Sequence, residues 1–258
     1  MARVRAPVGE SVLSRAVRIF EAFTPDEPAL TVSEISRRTG LHLATASRLV
    51  AELVAHGFLA RDADRRVRIG VRLWELGTRA SPTLSLRDAA MPFMEGVHDV
   101  VGHHVQIGVL EGEEVLFLER LTALGAVVNY TRIAGRLPLH VSSSGLVLLA
   151  HGATDLQERV LAGPLRKYTP HTITTAVALR STLAAIRKQG YAYCPGHFHE
   201  DALGIAAPVR DGGGEVVAAL SVIIPNDAAA AAVPPVVRTA ARGLSRALAA
   251  GGARGLPG

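Results

Sequence analysis

Residues 31–69, TVSEISRRTGLHLATASRLVAELVAHGFLARDADRRVRI, leave little freedom of fold. Thr31 and Glu34 stand at the S/T-x-x-E spacing of a capping box, with Ile35 as the buried position behind it and Gly40 as the stop. After a short Leu-His-Leu linker, residues 44–57 place Leu49, Leu53 and Val54 at helical spacing and end on a second glycine, Gly57. Two short helices across a tight glycine-containing turn make a helix-turn-helix. Residues 58–61, 62–65 and 66–69 then read as strand, turn and strand, which supplies the wing of a winged helix-turn-helix.

The charge distribution agrees with that motif. Residues 1–80 hold thirteen cations, all arginine, against nine acids, while the rest of the chain holds fifteen cations against fourteen acids. Arginine forks match phosphate oxygens and guanine edges, although a modest excess is also what a solvated basic surface looks like. Upstream, residues 11–23 put Val12, Ala16, Ile19, Phe20 and Phe23 on one helical stripe. That stripe is longer than its own domain can cover, so it is expected to pack across a two-fold axis in a homodimer or homotetramer.

Hydrophobic residues are 48% of the 258 and charged residues 20%, enough for a substantial core and too apolar for disorder. No apolar run is long enough to span a bilayer, and the N-terminus lacks the apolar stretch of a secretory signal, so no membrane partner and a cytoplasmic location are expected. A single cysteine, Cys194, excludes a disulfide framework.

A further helix at 71–80 leads to Ser81-Pro82-Thr83, read as the boundary between a DNA-binding domain, 1–80, and a second domain, 81–250, with 251–258 as a flexible tail. The second domain shows a helix at 86–101 despite Pro92, and strand-like runs at 104–110, 114–121 and 126–132. Helices follow at 144–150, 155–162 and 179–189, then strands at 191–194, 205–209 and 216–224 and a helix at 227–249. Strands joined by turns with helices grouped between them predict α+β architecture on a largely antiparallel sheet.

Three stretches in this order resemble the IclR-type bacterial transcriptional regulators over residues 10–249. They are SVLSRAVRIFEAF through VRIGVRLWELG, then RIAGRLPLHVSSSG, then GYAYCPGHFHEDALGIAAPVRDGGGEVVAALSVIIP. The resemblance implies an α/β (α+β) chain: a winged helix-turn-helix followed by a GAF-like effector-binding domain with a curved sheet. It implies double-stranded operator DNA, a small-molecule effector and further copies of the chain as partners, with no cofactor and no catalysis.

In the motif itself, a recognition helix presents its N-terminal side chains to base edges. Those are His42, Leu43, Ala44, Thr45, Ser47 and Arg48. Arg48 is positioned to read guanine, or to pair with Glu52 at i+4; Thr45 is a phosphate or base contact, or an ordinary first-turn residue. Arg37 and Arg38 are expected beside the backbone, with Arg65 and Arg66 at the wing tip. Relatives commonly carry a basic residue near Leu43, which here is suited to a thymine methyl.

For the effector, Ser142, Ser143 and Ser144 offer hydroxyls and free N–H groups at a helix N-terminus, or simply cap it. The resemblance adds Cys194, His197, Gly204, Ser221 and Ile223, at positions where relatives usually carry an acid, Glu, often Cys, Ser and Ser, and it places a lysine where this chain has Leu146. An acid and a cation lost and an alkyl gained predict an effector larger or more apolar than glyoxylate, with Gly204 leaving space for a ring or branched chain. The alternative is a metal- or thiol-dependent sensor or enzyme using Cys194, His197 and His199 as a C-x2-H-x-H cluster, although metal sites usually need a fourth ligand.

Overall fold

The structure, a computed structural model, describes residues 10–79, 82–123, 125–126 and 133–251. The chain divides into two units, Met1–Ser81 and Pro82–Gly258. The strand expected at 126–132 falls, from residue 127 on, outside the described residues, and so does the tail beyond residue 251.

In the first unit, helix α1 (Val12–Glu21) starts where the Ser11 side chain accepts from the Ser14 N–H. Helix α2 (Val32–Thr39) has the complete capping box: Glu34 N–H donates to Thr31 Oγ1 at 3.2 Å, and Thr31 N–H donates to Glu34 Oε2 at 2.7 Å. Gly40 ends it in the left-handed region at φ +67°, where a side chain would be strained. Helix α3 (Leu43–Ala55) follows at once. Strands β2 (Leu59–Arg61) and β3 (Val67–Ile69) form the hairpin, and β1 (Ala29–Leu30), which the sequence reading lacks, adds to β3 in the antiparallel order β1-β3-β2. Ile19, Leu30, Ile35, Leu49, Val50, Leu59 and Val67 are each buried to 2% exposure or less in one core. Truncating such a residue to Ala costs about 2–5 kcal/mol, so this small core dictates the α2–α3 angle. Helix α4 (Val71–Thr78) closes the unit.

The second unit is a six-stranded antiparallel sheet between two helical layers. Its strands are β4 (His104–Glu111), β5 (Glu114–Leu121), β6 (Arg136–Pro138), β7 (Ala192–Pro195), β8 (Ala202–Arg210) and β9 (Val216–Pro225), in the order β6-β5-β4-β9-β8-β7. On one face lie α5 (Pro82–Val101) and α9 (Pro234–Gly251), packed on Val105, Ile107, Ile205, Val222 and Ile224. On the other lie α6 (Ser143–His151), α7 (Thr154–Ala162) and α8 (Ala176–Gln189), packed on Phe117, Ala192, Cys194, Ala206 and Ala219. Alternation along each strand assigns these faces, since successive side chains point to opposite sides. The single terminal helix expected from Asp227 is instead a 3-10 turn over Ala228–Ala232 followed by α9. Pro234 sits at the first helical position, where a missing N–H costs nothing.

Candidate functional site

In the first unit the exposed side of α3 is the surface available to a partner. Ala46, Leu49 and Val50 face the core, Thr45 is half-buried, and His42, Leu43, Ala44, Ser47 and Arg48 are exposed. His42 precedes the helix without a side-chain cap, so the first N–H groups of α3 point outward unclaimed by any capping residue. Leu43 is 50% exposed, an apolar side chain offered to solvent beside those donors. Arg48 Nη1 bonds Glu52 Oε1 at 2.9 Å, which is the i+4 pair that the sequence offers as an alternative to base reading.

The four flanking arginines divide into two kinds. Arg37 and Arg65 are exposed, and their side chains have no partner among the described residues; Arg65 holds a left-handed φ of +60° at the hairpin tip. Arg38 instead donates from Nη1 to the Ala22 carbonyl at 3.0 Å and pairs with Glu27 at 2.5 Å. Arg66 Nη2 donates to the Ala29 carbonyl at 2.6 Å and stands 3.8 Å from Glu34. Arg38 and Arg66 therefore brace the scaffold of the motif, whatever else they touch.

In the second unit, the start of α6 meets the sheet through serines. Ser142 Oγ accepts from the Gly145 N–H at 3.0 Å and caps the helix. Ser144 Oγ donates to Ser221 Oγ at 2.8 Å, both residues being fully buried. Ser143 is 2% exposed, and its Oγ has no hydrogen-bond partner. A buried hydroxyl left unpaired costs about 1–3 kcal/mol, so this group is a donor or acceptor awaiting a bond.

Pairing register shows what surrounds it. Cys194, Gly204, Ile223 and His104 form one transverse row across β7, β8, β9 and β4. The next row on the same face is Ala192, Ala206, Ser221, Gln106 and Arg120. The Ser144–Ser221 bond fixes that this face looks at α6. Ser143, Ser144, Cys194, Gly204, Ser221 and Ile223 are thus brought together. His197 stands apart, in the turn after β7, where the Thr169 and Thr172 hydroxyls donate to the Gly196 and His197 carbonyls at 2.6 and 2.7 Å.

Two expectations change. A Cβ on Gly204 would lie 2.9 Å from Ser143 Oγ and 3.3 Å from Ser143 Cβ, so the glycine admits Ser143 against the strand and leaves no room for a ligand ring. Cys194 is buried, and loss of water pushes its thiol up to about 12, which leaves almost no thiolate at neutral pH. Among the described residues no group of three or more His, Cys, Asp or Glu is placed to hold a metal ion. The sequence reading did not place Gln106 and Arg120 on this face; for Gln106 the available signal was a polar residue set into the apolar run His104–Leu110.

No helix among the described residues is long and apolar enough to cross a membrane. Residues 12–63 match the IclR helix-turn-helix domain, and residues 79–246 match the bacterial transcriptional regulator IclR C-terminal domain. The chain is 30% identical to the HTH-type transcriptional regulator XynR of Escherichia coli over 84% of this chain and 86% of that one. It is 26% identical to the Pca regulon regulatory protein of Pseudomonas putida, over 85% and 77%. Among solved structures it resembles an IclR homolog complexed with 4-hydroxybenzoate from Microbacterium hydrocarbonoxydans, at 47% identity and TM-score 0.90, covering 93% of this chain and all of that one.

Proposed function

The chain belongs to the IclR family of bacterial transcriptional regulators, and we propose that it is a ligand-responsive member whose operator affinity is set by a small aromatic or similarly apolar acid. The helix-turn-helix is the DNA-binding part. Helix α3 enters the major groove with Leu43, Thr45, Ser47 and Arg48 toward base edges, while Arg37 and Arg65 meet phosphate. A copy of the chain binds each half of a pseudo-palindrome, with half-sites about one helical turn apart.

The observation that carries the ligand half is the Ser143 hydroxyl, buried and without a partner at the start of α6, above Gly204 and Ile223. A helix N-terminus with a spare hydroxyl favours an acidic group, and Ile223 and Cys194 make the adjacent sheet apolar. Both features suit 4-hydroxybenzoate, the molecule held by the 47% identical relative, better than glyoxylate. A thiol- or metal-dependent enzyme gains no support from a buried, protonated Cys194.

The test is calorimetry with 4-hydroxybenzoate, medium-chain acids, glyoxylate and pyruvate, paired with gel-shift titration on neighbouring promoter fragments. The expected result is tighter binding of the aromatic acid and a shift in affinity for one fragment. Equal or tighter binding of glyoxylate would overturn the ligand class, and no preference for any promoter over random DNA would overturn the regulator reading.

A further inference from the structure

We infer that the Leu43 side chain reads the 5-methyl group of a thymine, so that each half of the operator carries a thymine preferred for its methyl and not for a hydrogen bond. This rests on the operator reading above and deepens it, because it names one base and the group by which the protein tells it from the other three.

The two leucines at the turn into α3 have opposite fates. Leu41 is 8% exposed and belongs to the core of the first unit, whereas Leu43, the first residue of α3, is 50% exposed. The core is therefore closed without Leu43. Ala46, Leu49 and Val50 of the same helix turn inward, and Ala44, Ser47 and Arg48 are exposed beside Leu43. Exposure alone says little, since scattered surface leucines are ordinary; the position decides. Helical side chains lean toward the N-terminus, so Leu43 projects ahead of the first turn, the part of a recognition helix that meets base edges.

The charges around this tip leave it apolar. No Arg, Lys, Asp or Glu lies between Leu43 and Ser47, and the first in the helix is Arg48. The cations suited to phosphate stand to either side: Arg37 on α2 and Arg65 at the hairpin tip are exposed, with no side-chain partner among the described residues. Phosphate contacts from them hold the helix in register while its first turn meets the bases. An isobutyl group offers those bases no hydrogen bond. Set against the donors and acceptors of adenine, guanine or cytosine, it displaces water and puts nothing in its place, which is unfavourable. The thymine C5-methyl is the only methyl group on the major-groove edges of unmodified DNA, and there burial of Leu43 is favourable. Arg48 lies five residues further on, about 7.5 Å along the helix axis, so its base contact is a separate one.

The experiment selects the tightest-bound sequence from a library of random duplexes with the full chain. Each thymine of that sequence is then replaced singly by deoxyuridine, which keeps the base pair and lacks only the methyl. Affinities of the wild type and Leu43→Ala are read by fluorescence anisotropy. At one thymine in each half-site, uridine is expected to weaken the wild type about three- to fivefold, the worth of one buried methyl group, and Leu43→Ala less than about 1.5-fold. Selected half-sites without thymine, or a wild type that tolerates uridine at every position, overturn the proposal. So does an equal loss in both proteins, which assigns the methyl to another residue or to DNA shape. If Leu43→Ala melts well below the wild type, Leu43→Gln decides, since it keeps the reach and removes the apolar tip: a uridine effect as large as in the wild type overturns the proposal. A wild type that selects no sequence over random DNA refutes the operator reading first and this assignment with it.

Discussion

Ser143 and Ser144 are neighbours in sequence with opposite situations, and the difference is measurable. Ser144 spends its hydroxyl on Ser221, so Ser221→Ala strands a buried group and should lower stability by about 1–3 kcal/mol in urea unfolding, ligand or no ligand. Ser143 has nothing to lose in the free protein. Ser143→Ala should leave the urea midpoint almost unmoved and weaken the aromatic acid by about 0.5–1.5 kcal/mol in calorimetry. The reverse pattern would place the ligand elsewhere. At α3, Arg48→Ala is expected to relax preference at one base pair by about 1–3 kcal/mol in competition with mutated operators. The pair with Glu52 is exposed and worth little, so it can be exchanged for a guanine edge. Gly204 shows what sequence cannot supply at this scale. A missing side chain reads as an opening, but whether a neighbour has moved in depends on layer spacing, and here Ser143 has.

The elements that were legible are those whose whole signal is local. The capping box of α2, its left-handed Gly40 and the hairpin behind α3 each lie within a few residues of their cause. Thr31→Ala should therefore cost about 1 kcal/mol of the first unit's stability, measured by thermal melting, because the Glu34 N–H loses its acceptor and Glu34 Oε2 loses the Thr31 hydroxyl, while the bond from the residue 31 backbone N–H remains. Strands β1 and β6, with two and three residues, are too short to show a period. The row facing α6 was hidden for another reason: Gln106, Arg120 and Ser221 meet only through pairing register, and a one-residue slip would turn each to the other face. Helix α1 was legible as a helix, but its faces were not. Ile19 is fully buried in its own unit, whereas Val12, Leu13 and Val17 are exposed, as are Val71 and Trp74 of α4. Those side chains are the expected two-fold contact, and Leu13→Ser with Trp74→Ser should shift light scattering toward monomer at micromolar concentration. An unchanged dimer would move the contact elsewhere.

For the molecule as a whole, pH reports how its charges are placed. Glu34, Asp62, Asp155 and Glu158 are held below the ordinary carboxylate range, first of all by hydrogen bonds from Thr31, Arg68, Arg159 and Arg180 respectively. An acid depressed in the folded state contributes stability above its unfolded pKa, lost as pH falls through the folded value. Burial likewise lowers His151, with Arg210 and Arg187 adding to it, and His197, with His171 adding to it. Their contribution is present above the ordinary histidine range and is lost on moving below it. Scanning calorimetry should therefore show the midpoint falling in two stages, a shallow one starting near about pH 6.5 and a steeper one below about pH 4.5. A flat midpoint between the two would mean the histidines are no more buried than in the unfolded chain. Finally, the chain contains one sulfhydryl, and it is sealed between α6–α8 and the sheet. Maleimide can reach it only when those layers part, so labelling rate becomes a clock for that opening, readable without any introduced probe. An effector lodged between the layers should slow the clock, and one bound elsewhere should leave it running.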